Sequence, residues 1–243
     1  MHLLNQCPDR GVTYEVVGCL TSEFTFAEEV RVERRGIPVF SNPIESFYES
    51  RGASLYRNMH VRADYDSATL KRLEPLFPDL LVLDGYLYLI TRPLLKAFGP
   101  RIVNLHFSDL TLRLADGRPR FPGLHAVRDA IVAGRQETRA TVHQVNEEPD
   151  SGPPIVRSSA FPVSPLVAAL RSQGAPDVLK AYIYAHQQWM MRTISGPLLA
   201  AALRLVATGA VDLQSLAIGD VPPDPWLLDG NELAAPEVEL AAR

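Results

Sequence analysis

Residues 80–84 read LLVLD. Four consecutive apolar residues, closed by a polar one and set between two helical patterns, predict a short strand buried on both faces. A strand of that kind needs a layer on each side, so this run points the chain toward the α/β class. The surrounding pattern agrees. Further strands are expected over 14–20, 37–40, 101–106, 138–145 and 154–162. Helices are expected over 24–35, 66–76, 93–98, 123–133, 177–192 and 197–207. Residues 110–121 read as a loop with Asp116-Gly117 at its tip, and residues 146–153 as a polar turn. One α/β domain is expected over 1–214, followed by a Pro- and Asp-rich arm over 215–243.

Composition narrows the function classes. The chain has 243 residues, 47% of them hydrophobic, enough for a sizeable core. Its 24 basic and 28 acidic side chains give a net charge of −4. That balance argues against nucleic acid or an anionic membrane as partner, since both need clustered Lys and Arg. No apolar run is expected to reach the length of a membrane span, and the first residues lack a signal-peptide pattern. Cys7 and Cys19 are too few for a disulfide framework or a four-cysteine zinc site, and a reducing, cytoplasmic location is the default expectation. No GxGxxG, Walker loop or GxSxG occurs.

The residues able to carry chemistry are few. Asn104 and His106 stand at i, i+2 near the end of an expected strand, so both face the same side of the sheet. An amide and an imidazole placed there can bind and protonate a developing oxyanion. The same pair also fits an ordinary hydrogen-bonded strand end. Asp150 stands in a turn-forming segment, yet a carboxylate beside an imidazole can hold its charged form and move protons. His143, seven residues earlier, reads as a core or rim group, and His125 as structural. Pro122-Gly123 opens a helix and lets backbone approach the strand ends. The segment DGYLYLI, 84–90, can line a flat apolar slot or simply pack in the core. Tyr182, His186, Trp189 and Met190 read as a packed helix face, and Arg31–Arg35 as a solvated one.

Taken in order, LLVLDGYLYLI (80–90), VNLHFS (103–108), FPGLHAVRDA (121–130) and ATVHQVNEEPDSGPPIV (140–156) resemble the formyltransferases that use 10-formyltetrahydrofolate, nearest to their phosphoribosylglycinamide formyltransferase branch. The resemblance covers residues 12–162 and is weak through the C-terminal helices. It implies a doubly wound, mostly parallel, Rossmann-like sheet in the cytoplasm, and a catalytic trio at Asn104, His106 and Asp150. A primary amine of a small molecule attacks the formyl carbon. Asn104 and protonated His106 stabilise the oxyanion, Asp150 supports His106 and moves protons through water, and N10 of the folate leaves without help from a metal. The folate pocket falls on Tyr86, Leu87, Tyr88, Leu89 and Ile90, and on the loop carrying His143, Val145, Asn146, Glu147 and Glu148.

The chain also departs from that pattern. The family's first strand and the Gly-rich loop that binds the substrate phosphate have no counterpart, and residues 1–11 read instead as the end of a helix running into Gly11. Either translation is expected to start further upstream or another element covers the gap. The stretch 106–122 is longer than usual and carries Arg113, Arg118 and Arg120, which can bind an acidic substrate or face solvent, the latter being the expectation. The resemblance leaves a folate hydrolase and a sugar-amine formyltransferase open, and, from another class, a non-catalytic folate- or nucleotide-binding homologue. Only about 80 residues follow Pro162, which speaks against the tRNA-formylating branch with its extra β-barrel. The hydrolase branch would carry an additional N-terminal domain.

Overall fold

The computed structural model describes residues 14–23, 36–55 and 58–218, together with two short strands at 227–228 and 231–232. The expected helix 24–35, the basic stretch within it and the reading of residues 1–11 lie outside the described residues.

The chain alternates strands and helices as the apolar pattern requires. β1 (Cys19–Thr21) pairs in parallel with β2 (Val39–Ser41). α1 (Ile44–Glu49), which the sequence reading did not anticipate, leads into α2 (Met59–Leu73). The latter starts seven residues earlier than expected because the Asn58 side chain accepts from the His60 and Val61 N–H groups and caps it. β3 (Leu81–Leu83), α3 (Arg92–Phe98) and β4 (Ile102–His106) follow. Next come α4 (Ala126–Val132), β5 (Glu137–Thr138) and β6 (Thr141–Gln144). Then come β7 (Pro154–Arg157), β8 (Phe161–Pro162), α5 (Leu166–Ser172) and α6 (Pro176–Ala207). β9 (Leu227–Leu228) and β10 (Asn231–Glu232) form an antiparallel pair within the expected arm.

The central sheet has the order β3-β4-β6-β7. β3 and β4 are parallel; β6 and β7 continue the sheet antiparallel. The strands expected over 138–145 and 154–162 each divide. Their outer parts, β5 and β8, leave the sheet and pair with each other. Among the described residues β3 is an edge strand. Leu83 is buried, whereas Leu81 and Val82 are half-buried, so the run at 80–84 is not sealed on both faces as expected.

The two faces of β4 divide the labour. Val103 and Leu105 point toward α6 and pack with Val142, Ile155, Val156, Met190, Ile194, Leu198 and Leu199. Ile102 packs on the other side with Leu83, Leu94 and Phe98, and strand alternation puts Asn104 and His106 on that same side. Burial of α6 also explains why it is one helix rather than the expected two. Pro197 interrupts the backbone ladder and would end an isolated helix. Here Ile194, Leu198, Leu199, Ala201 and Ala202 are all buried, and packing outweighs the local cost. By length and composition alone α6 is apolar enough to cross a membrane, contrary to the expectation. Half of its most apolar window is buried inside the domain, as in a core helix. Its face 182–190 packs as expected: Trp189 meets Phe161 edge-on at 4.9 Å, and His186 Nε2 lies 2.8 Å from the Thr138 hydroxyl.

Candidate active site

Four segments converge at the polar face of the sheet. β4 contributes Asn104 and His106. Register places Asn104 opposite His143 of β6, and Leu83, the last residue of β3, beside Asn104 on its other flank. The β6–β7 connection carries Asp150 back over the strand ends. The segment entering α4 contributes the backbone of Phe121 and Gly123.

The Asp150 carboxylate is the hub. Its Oδ1 lies 3.5 Å from His106 Nδ1 and 3.9 Å from His143 Nε2. Its Oδ2 accepts the Gly123 N–H at 2.7 Å. Gly123 meets it with φ +78°, a conformation in which other residues are strained. Asp150 itself has φ 55°, and Asp is among the few non-glycine types that tolerate this region. Two residues on, a Cβ on Gly152 would stand 1.8 Å from the Gln144 carbonyl oxygen. Only glycine lets the returning loop lie so close to β6.

Hydrogen bonding assigns the tautomer of His143. Its Nδ1 is 2.9 Å from the Gln144 carbonyl and so carries the proton. Its Nε2 then accepts from the Asn104 amide at 3.2 Å. Burial pushes the His143 pKa down, with Asp150 opposing and His106 adding to the shift. Burial likewise lowers the pKa of His106, offset in part by the Asp150 charge and by a hydrogen bond to the Phe121 carbonyl. With Nδ1 directed at Asp150, the His106 Nε2 is buried and has no hydrogen-bond partner among the described residues. A neutral imidazole with one nitrogen held and the other bare is poised to exchange a proton with a bound reactant.

The apolar segment lies beside this cluster. Along 86–90 exposure alternates: Tyr86, Tyr88 and Ile90 are half-buried, while Leu87 is 55% and Leu89 48% exposed. Tyr86, Ile90 and Val145 each pack against the core cluster of Leu73, Leu83, Leu94, Phe98 and Ile102. In the second segment His143 is buried and Val145 and Asn146 are half-buried, whereas Glu147 and Glu148 are exposed. The pairing of His143 with Asn104 was not foreseen, because it depends on the β4–β6 register. The Phe121 carbonyl and the Gly123 N–H are backbone groups with no side-chain signal beyond the Pro-Gly step. Of the three arginines expected in solvent, Arg118 pairs with Asp116 at the hairpin tip. Arg113 turns inward instead, donating to the Ser151 carbonyl at 3.3 Å. No cluster of three or more potential metal ligands occurs among the described residues.

Comparison with known proteins places the chain in a family. The formyl transferase family model aligns with residues 1–167. Phosphoribosylglycinamide formyltransferase of Bacillus subtilis is 34% identical over 115 residues, 47% of this chain and 55% of that protein. The Haemophilus influenzae protein of the same name is 36% identical over 111 residues, 46% of this chain and 48% of its own length. The chain therefore spans about half the length of these curated relatives. Among solved structures, phosphoribosylglycinamide formyltransferase from Brucella melitensis superposes with a TM-score of 0.57 at 27% identity, covering 87% of this chain and 90% of that one.

Proposed function

We propose that this chain, which belongs to the formyl transferase family, transfers the formyl group of 10-formyltetrahydrofolate to the primary amine of a small molecule. The observation that carries the reading is the convergence of Asn104, His106 and Asp150 at one strand end, with the apolar segment 86–90 following the neighbouring strand β3. The residues fit such a co-substrate in two respects. The exposed Leu87 and Leu89 offer it an apolar face, and the bare His106 Nε2 offers it a buried proton-exchanging nitrogen. Bound there, 10-formyltetrahydrofolate would supply an electrophilic formyl carbon and a nitrogen leaving group.

The remaining work falls to the chain. Asn104 retains an amide N–H beyond the one given to His143 and can donate it to an oxygen that is gaining charge. His106 is neutral at rest, because burial disfavours its charged form. It can therefore accept the proton that the attacking amine loses as the new C–N bond forms. The imidazolium so produced is stabilised by Asp150 and adds its charge to the oxyanion site. The same proton then goes to the departing nitrogen as its bond to the formyl carbon breaks, and His106 returns to neutral. Gly123 holds the carboxylate in place through Oδ2, so Oδ1 stays directed at the imidazole.

The test is consumption of 10-formyltetrahydrofolate by the full chain, with and without candidate amines, phosphoribosylglycinamide first. Turnover that requires an amine supports the proposal. Turnover without an amine would make the protein a hydrolase, and folate binding without turnover a non-catalytic homologue; either result would overturn the transferase reading.

A further inference from the structure

Residues 107–123 leave β4 just after His106 and return to the active site at Phe121 and Gly123. Between those points they form a hairpin, closed by the Arg113–Pro119 bridge and, at its tip, by the Gly117 N–H donating to the Leu114 carbonyl at 2.9 Å. Its base is anchored to the central sheet. Asp109 Oδ1 accepts the Thr111 N–H at 3.1 Å. Asp109 Oδ2 lies 3.3 Å from Arg157 Nη1 of β7, and the same nitrogen donates to the Thr111 hydroxyl at 3.1 Å. The hydroxyl of Thr141, on β6, donates to the Ser108 carbonyl at 2.7 Å and accepts the Leu110 N–H at 3.2 Å.

Arg113 reaches from this anchored hairpin to the loop bearing Asp150. Its Nη1 donates to the Gly117 carbonyl at 2.9 Å, which fixes the guanidinium on the hairpin. Its Nη2 donates to the Ser151 and Gly152 carbonyls at 3.3 and 3.5 Å. Both of those residues are buried, and a buried carbonyl that loses its donor keeps the desolvation cost. Among the described residues Arg113 forms no ion pair, so its charge is directed at backbone carbonyls. That charge also lies close enough to the catalytic cluster to help keep the His143 pKa low.

One segment therefore grips the Asp150 turn from two sides. The Gly123 N–H holds the carboxylate, and Arg113 holds the two residues that follow it. Asp150 has φ 55°, and a non-glycine residue persists in that region when its surroundings over-determine it.

We propose that Arg113 is a positioning residue for the catalytic carboxylate, its guanidinium fixing the Ser151 and Gly152 carbonyls so that Asp150 Oδ1 stays directed at His106. The inference rests on the reading of Asp150 as part of a formyl-transferring site. Arg113 makes no hydrogen bond or ion pair to Asn104, His106 or Asp150 among the described residues, so it acts through the loop and not on the reacting atoms.

The experiment compares the unaltered full chain with Arg113→Ala and Arg113→Lys, with and without guanidinium chloride held well below its unfolding range. It reads kcat and KM for 10-formyltetrahydrofolate, and amide hydrogen exchange over 150–152 in the free protein. Arg113→Ala should lower kcat about thirtyfold with KM within about threefold, because a slightly displaced carboxylate loses its orientation. Exchange over 150–152 should quicken in that variant. Added guanidinium can occupy the vacated space and should restore both kcat and protection, a response that a loss of general packing would not give. Arg113→Lys keeps the charge but not the fork, so it should fall between the two. It carries the comparison if Arg113→Ala does not fold, and kcat and exchange both equal to those of the unaltered chain would then overturn the role. Unchanged kcat in Arg113→Ala, or a loss that guanidinium does not restore, would overturn the positioning role alone. Absence of turnover in the unaltered chain would overturn the transferase reading, and the positioning role with it.

Discussion

Asp150 Oδ1 stands 3.5 Å from His106 Nδ1 while the partner oxygen is tied to the Gly123 backbone. This division of one carboxylate between a charge role and an anchoring role can be tested by separating them. Asp150→Asn keeps a side-chain oxygen for Gly123 and tolerates φ 55°. It should fold normally and lose at least about a hundredfold in kcat. Circular dichroism with steady-state kinetics checks both halves; near-normal turnover would remove Asp150 from the mechanism.

The pH dependence follows from the direction of the His106 shift. Its pKa is lowered, so the neutral base persists below the usual histidine range. Protonation removes the base, so kcat/KM for 10-formyltetrahydrofolate should fall on the acid side, with a midpoint below about 6.5. A midpoint above that value would show that the resting imidazole is charged and that the proton order given above is wrong.

Gly152 is a packing requirement rather than a chemical one. A Cβ 1.8 Å from the Gln144 carbonyl forces the loop away from β6. Gly152→Ala should destabilise the domain by about 2–4 kcal/mol in urea titrations. In whatever fraction remains folded, activity should be depressed because Asp150 moves with the loop. Unchanged stability would mean that the turn relaxes freely.

Exposed Leu87 is the sharpest probe of the slot itself. At 55% exposure its replacement by Ser should change stability by less than about 0.5 kcal/mol. KM for 10-formyltetrahydrofolate should rise several-fold, and kcat should change little. Unaltered KM for folate in the Leu87→Ser protein would argue that the pterin lies elsewhere.

His186 supplies a stability prediction independent of catalysis. Burial of this α6 side chain against β5 pushes its pKa down to about 4. The unfolded chain, with an ordinary value of about 6.5, therefore binds the extra proton first. Stability is fully present above about 6.5 and declines as pH falls toward about 4, by at most about 1.4 kcal/mol per pH unit. His186→Gln can still hydrogen-bond to the Thr138 hydroxyl and does not titrate. Thermal melts of the two proteins at pH 7 and pH 5 should show a smaller acid loss in the variant; equal losses would rule the histidine out as a source of acid sensitivity.

Much of the site was legible because strand periodicity is local. Asn104 and His106 share a face by the arithmetic of two, and the Pro-Gly step at 122–123 announced a close backbone approach that Gly123 makes to Asp150. Pairings that depend on register were not legible. Nothing near His143 in sequence indicates that Asn104 lies opposite, and nothing near Arg113 indicates Ser151, 38 residues away. The expected two C-terminal helices are one, because the rule against internal proline is local and the burial that overrides it is not. The early start of α2 was missed although its signal, Asn58 at the N-cap, was present in the sequence.

The left-handed backbone at Asp150 has an evolutionary corollary. Random substitution at that position is filtered first by conformation, which readily admits glycine, asparagine and aspartate. Only one of the three bears a charge. Descendants that lose the chemistry by drift would therefore accumulate as well-folded proteins, silent in any screen for expression or solubility and distinguishable only by a single side chain.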